Sequence, residues 1–86
     1  EIYLAQNYPN PFNTSTVISY QLPICSQVEL SIFNPFGQKV VTLVSEKQSA
    51  GIHKFIWDAK GLTTGVYFYR LEANDYVLVK KMILIK

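Results

Sequence analysis

The residues that could do chemistry are few: one histidine, one cysteine and six scattered acids in 86 residues. A hydrolase needs a nucleophile, a base and a group that orients the base. His53 lies in the stretch Ile52–Asp58 on the same face as Phe55 and Trp57. That position predicts a packed, hydrogen-bonded histidine, because one lone imidazole has no second ligand for a metal and no triad partner. Cys25 follows Pro23-Ile24 in a loop, with no basic neighbour in sequence to activate its thiol. A single cysteine also makes no internal disulfide. Glu1, Glu29, Glu46, Asp58, Glu72 and Asp75 show neither the pairing of a glycosidase nor the spacing of a calcium loop. Asp58, at a strand end, reads as a loop cap. No glycine-rich phosphate loop is present. The expectation is a domain that is not an enzyme in its own right and holds no cofactor or metal.

Four other patterns invite a reading. Asn10-Pro11-Phe12 and Asn34-Pro35-Phe36 repeat a tripeptide that some peptide-binding domains recognise, but Asn and Pro read first as turn chemistry. Asn13-Thr14-Ser15 has the form of a glycosylation acceptor. Tyr3, Tyr8, Phe12 and Phe36 offer either a sugar-stacking platform or plugs for the ends of the fold, with plugs the preferred reading. The segment Tyr76–Val79 is apolar on both faces, Lys80-Lys81 interrupts it, and Met82–Ile85 resumes before Lys86. It reads as a strand buried on both faces with lysine gatekeepers. The same lysines could also face a receptor.

The elements that must position these residues follow from period-two alternation. Thr16–Leu22 places Ile18, Tyr20 and Leu22 on one face. Gln27–Phe33 turns Val28, Leu30 and Ile32 inward, with Glu29 and Ser31 outward. Asn34-Pro35-Phe36-Gly37 is a turn, since Pro presets one torsion and Gly accepts positive φ, and it joins Gln27–Phe33 to Gln38–Val44 as a hairpin. Ser45–Gly51 is a polar loop. Ile52–Asp58, Val66–Ala73 and Tyr76–Ile85 complete six strands, and Ile2–Ala5 is a short further one. In Val66–Ala73, Tyr67, Tyr69 and Leu71 share a face. The predicted core is Ile18, Tyr20, Leu30, Ile32, Phe55, Trp57, Tyr69 and Leu71. Residues 1–15 form an irregular Pro/Asn-rich opening segment, and residues 16–86 form the sandwich of a single domain. Turns at roughly 8–12-residue intervals point to an all-β, immunoglobulin-like antiparallel β-sandwich of about seven strands. A closed small barrel is the alternative.

Composition agrees. Hydrophobic residues make up 49% and charged ones only 16%, the reverse of the disorder signature. A net charge of +2 gives no basic stripe for nucleic acid. No run of about 18 apolar residues exists to span a membrane. No secretory leader opens the chain, so an exported parent would carry its leader upstream of Glu1.

The ordered run Leu4–Asn13 followed by Ser15–Tyr20 resembles the opening of the C-terminal sorting domains of the bacterial type IX secretion system. The resemblance continues through Phe36–Val41, Gly51-Ile52-His53, Trp57-Asp58 and Gly61–Leu71, and closes with Lys80–Lys86. It extends also to the immunoglobulin-like part of flagellar hook-capping proteins. Its motifs place Pro9, Asn10 and Pro11 in the first motif and Gly65 and Tyr67 in the Gly-x-Tyr motif. Lys80, Lys81 and Lys86 sit around the apolar last motif. Thr14 departs from the proline many members carry. The resemblance implies a seven-stranded sandwich at the C-terminus of an exported protein. It implies a cargo domain upstream in the same chain, and delivery through the periplasm to the cell surface. The partners it implies are a secretion translocon, a shuttle protein and a surface sortase. On this reading the last strand and its lysines make the partner contact, and a long apolar edge would invite self-association. Two other readings stand beside it. One is a carbohydrate-binding module, suggested by the aromatics; the other is a structural immunoglobulin-like spacer.

Overall fold

Residues 1–85 are described by a computed structural model; Lys86, one of the expected recognition lysines, lies outside them. Among the described residues the alternation resolves into seven strands. These are β1 (Tyr3–Leu4), β2 (Ser15–Leu22), β3 (Ser26–Phe33), β4 (Lys39–Gln48), β5 (Gly51–Asp58), β6 (Gly65–Ala73) and β7 (Tyr76–Leu84). β6 shows why such sequences become strands. Tyr67, Tyr69, Leu71 and Ala73 are buried on one face, while Phe68, Arg70 and Glu72 alternate with them on the other.

The strands form two antiparallel sheets, one ordered β1-β2-β5 and the other β4-β3-β6-β7. This is an immunoglobulin-like order in which the fourth strand pairs with the third instead of the fifth. The sheets have free edges, so the fold is a sandwich and not a barrel. Ile18, Tyr20 and Leu22 of β2 share the interior with Val28, Leu30 and Ile32 of β3, Tyr69 and Leu71 of β6, and Met82 and Leu84 of β7. Trp57 is buried beside them, and Phe55 is half-buried against the cluster.

The β3–β4 hairpin turns where the sequence places it. Asn34 Oδ1 accepts the backbone N–H groups of Phe36 (2.9 Å) and Gln38 (3.0 Å), and Gly37 takes φ +82°, a torsion that costs L-residues about 1–2 kcal/mol. The β6–β7 hairpin turns at Asn74-Asp75, with Asn74 at φ +56°.

Several expectations need correction. The expected polar loop Ser45–Gly51 is mostly strand. Its residues Ser45–Gln48 continue β4 against Ser26–Glu29 of β3, because the ladder gives this polar stretch backbone partners. Ser31 lies on the outer side of β3 as expected but is buried: Thr42 and Arg70 flank it in the adjacent strands. β7 is not a central strand buried on both faces. It is an edge strand, with Tyr76, Val77 and Val79 exposed. Of the aromatics preferred as plugs, only Phe12 is one, buried with its ring centroid 6.0 Å from that of Trp57. Tyr3, Tyr8 and Phe36 are exposed.

Candidate recognition surface

Tyr69 is where the surface is anchored. It is a fully buried residue of β6, and a buried tyrosine needs a partner for its hydroxyl. The hydroxyl donates to the carbonyl of Ala5 at 2.7 Å and accepts the N–H of Asn7 at 2.8 Å. Burial pushes the Tyr69 pKa up to about 12. Around that bond the opening segment is tied down residue by residue. Asn7, itself buried, donates from Nδ2 to Thr16 Oγ1 (3.0 Å) and to the carbonyl of Pro9 (3.2 Å). Thr16 Oγ1 in turn donates to Pro9 at 2.9 Å. Tyr8 and Val17 exchange both backbone bonds, at 3.0 and 2.8 Å. The Tyr8–Pro9 and Asn10–Pro11 peptide bonds are cis.

The same segment then crosses to the end of β7. Gln6 Nε2 donates to the Lys81 carbonyl at 2.7 Å. Ile83 N–H donates to Asn10 Oδ1 at 2.9 Å. Phe12 N–H donates to the Ile83 carbonyl (3.0 Å), and Ile85 N–H to the Phe12 carbonyl (2.8 Å), a short parallel bridge. The first and last motifs, some seventy residues apart in sequence, therefore form one continuous surface. Asn10 is not spent on a turn, unlike Asn34. Its side chain satisfies a β7 amide that would otherwise face an open edge.

The remaining expected positions fall out as follows. Gly65 opens β6 at φ +158°. Tyr67 is buried with its hydroxyl at the rim, donating to the Thr63 carbonyl at 2.8 Å. Lys80 and Lys81 do not form one basic patch. Adjacent strand residues point to opposite faces; Lys80 pairs with Tyr69 and is half-buried, whereas Lys81 pairs with Phe68 and is exposed. Beside Lys81 on the outer face, the Arg70 guanidinium lies 4.5 Å from the Phe33 ring centre and 3.2 Å from Glu72. The Lys39 ammonium, 2.7 Å from Glu29, is the main cause that holds the Glu29 carboxyl below its usual range, and the Ser31 hydroxyl adds to it.

Gln6, Asn7, Thr16 and Tyr69 were not read from the sequence as parts of this surface. A polar Thr16 in period with the inward-facing Ile18, Tyr20 and Leu22, with a tyrosine on the buried face of β6, is the signal that could have found part of it. Residues that could do chemistry are dispersed instead of gathered. His53 stacks on Tyr20 with centroids 5.5 Å apart and bonds through Nε2 to the Ser49 carbonyl at 2.8 Å. Cys25 is exposed. An open hollow lies between Asn13–Ser15 and Asp58–Gly61, and the Asp58 carboxylate there accepts the Lys60 N–H at 3.0 Å. Among the described residues no three His, Cys, Asp or Glu side chains converge as metal ligands would. Among the described residues no helix is long and apolar enough to cross a membrane. Tyr3 and Tyr8 share the outer face of the β1-β2-β5 sheet, opposite Gln21 and Val17, while Phe36 sits at the β3–β4 turn. The exposed rings therefore make no single platform.

No curated protein matches the chain. A family model described as the secretion system C-terminal sorting domain matches residues 6–86. The match begins at Gln6, the first residue of the segment clipped to β7, and takes in every strand from β2 onward. The chain therefore belongs to the secretion system C-terminal sorting domain family, the sorting tails of type IX secretion, whose role is to direct export to the cell surface or secretion.

Proposed function

We propose that this domain acts without catalysis of its own, as a folded address for a cargo in the same chain. The translocon, a shuttle protein and a surface sortase are the partners that read it. The observation that carries this reading is the stitched surface of Gln6–Phe12 and Lys81–Ile85, where the two end motifs become a single patch. Pro9, Asn10 and Pro11 shape one side of that patch and Lys81 borders the other. Gly65, Tyr67 and Lys80 support it from β6 and β7.

The test fuses the domain to an inert periplasmic reporter in a bacterium with type IX secretion. The reporter is expected at the surface with the intact domain and in the periplasm without it. Surface delivery that is equal with and without the domain would refute the reading. A second pair of variants separates recognition from folding. Leu84→Asp puts a charge at a fully buried site, and delivery should fail with loss of fold. Lys81→Ala should keep the fold and reduce delivery.

A further inference from the structure

β7 is an edge strand whose outward backbone groups are bonded over only half its length; along the other half Ile2–Leu4 stand across a small hollow from Leu78–Lys80 without a backbone bond to them. Ile83 directs both its N–H and its carbonyl away from β6, to Asn10 and Phe12. In an antiparallel pair, residues alternate between bonding the neighbouring strand and facing the opposite way. The backbone groups of Lys81, Val79 and Val77 therefore also face outward. The Lys81 carbonyl is taken by Gln6. Among the described residues nothing pairs with the outward groups of Val77 and Val79. Their side chains are 55% and 54% exposed, and neighbouring Tyr76 is 60% exposed. An unpaired apolar edge is a template for another strand. Of the other free edges, β4 carries Lys39, Glu46 and Lys47 and β1 is two residues long, while β5 exposes Ile52 and Ile56 on either side of Lys54.

We infer that the free half of β7, Tyr76–Lys80, pairs antiparallel with the same segment of a second copy of this chain, with Val77 opposite Val79 of that copy. The register is selected by three constraints. Outward-facing residues must meet outward-facing residues, which permits only shifts of two. Placing Val79 opposite Val79 would bring the second copy to Ile83, where Asn10 and Phe12 already bond. Placing Val77 opposite Val77 would set Asp75 against Val79 and leave Lys81 without an acid. The remaining register centres on Leu78 and sets Tyr76 against Lys80. It also brings Asp75 at the end of each hairpin to Lys81 of the other copy, and opposite charges across strands are favourable. The second copy's turn then ends where the Gln6 clip begins. Two four-stranded sheets become one continuous sheet. So small a contact falls in the weak, transient class of interfaces.

Sedimentation velocity over a concentration series reaching the millimolar range should show a monomer–dimer equilibrium, and amide exchange at Val77 and Val79 should slow as the dimer fills. Val79→Pro removes an outward donor that β6 does not use, so it should abolish the dimer and keep the melting midpoint. Lys81→Asp should weaken association about three- to thirty-fold, and adding Asp75→Lys should restore it. A chain that stays monomeric throughout overturns the proposal. So does a dimer that survives Val79→Pro, which would place the contact elsewhere or signal exchange of whole strands between copies. Neither result bears on sorting, because reporter delivery is read independently.

Discussion

Replacing Tyr69 with Phe removes one oxygen from the fully buried ring and strands two backbone groups. Asn7, 2% exposed, loses the acceptor of its N–H. No water reaches it, so it bears a desolvation penalty of about 1–3 kcal/mol. The Ala5 carbonyl is half-buried and can recover a water, so its loss is nearer the net value of one hydrogen bond, about 0.5–1.5 kcal/mol. The sum is about 1.5–4.5 kcal/mol, or a fall of about 6–36 °C in melting midpoint for a domain of this size. Tyr67→Phe is the internal comparison. Its hydroxyl serves one carbonyl of exposed Thr63, so the cost should stay near 1 kcal/mol or below. Calorimetry gives both midpoints, and amide exchange reports Asn7 directly. The pH dependence supplies a second readout. Burial raises the Tyr69 pKa from 10.0 to about 12, so the folded state keeps a proton that the unfolded state releases. Stability from this group is intact below about pH 10 and falls as pH rises toward 12. The Phe variant should lose less over that window. Equal losses for Tyr67→Phe and Tyr69→Phe, or an unchanged Asn7 amide, would refute the idea that the Tyr69 hydroxyl holds the opening segment.

Three further outcomes are expected. Leu30→Ala, at a fully buried site, should cost about 2–5 kcal/mol in urea unfolding, whereas Ile56→Ala, 73% exposed, should stay within about 0.5 kcal/mol. Gly37→Ala should lower stability by about 1 kcal/mol through backbone strain alone, since an added Cβ meets nothing there; a neutral urea midpoint would contradict the turn geometry. Asn10→Ala should speed exchange of the Ile83 amide and leave the Leu30 and Leu71 amides protected, because the lost bond lies at the edge of the sheet.

The sequence carried the strands well because alternation reports which face of a strand is buried, and β2, β5 and β6 alternate along their length, while β3 does so except at buried Ser31. Tyr76–Val79 misled because a run apolar on every residue has no alternation to read. Whether such a strand is central or at an edge depends on its neighbours, which come from elsewhere in the chain. The Ser45–Gln48 stretch looked like a loop for the same reason: its polar residues are held in β4 by the backbone of β3. The candidate site was legible as motifs but not as a surface. Pro9, Asn10, Pro11 and Lys81 were identifiable one at a time. Their meeting depends on the Asn10 side chain reaching Ile83, a long-range bond that no local pattern encodes. Lys80 and Lys81 were read as a pair, although the pleat separates them.

The clip between the opening segment and β7 also has a mechanical meaning. The Phe12–Leu84 bridge is parallel. Pulling the upstream end of the chain away from the end of β7 therefore slides the two segments past each other. The bonds from Gln6 to Lys81, Asn10 to Ile83, and Phe12 to Ile83 and Ile85 are then loaded together in shear. Force applied at the Asn74-Asp75 turn would instead peel β7 from β6 one pair at a time. A folded tail towed by its ends should resist more strongly than one gripped at that turn, and single-molecule pulling from the two attachment geometries would measure the difference in rupture force.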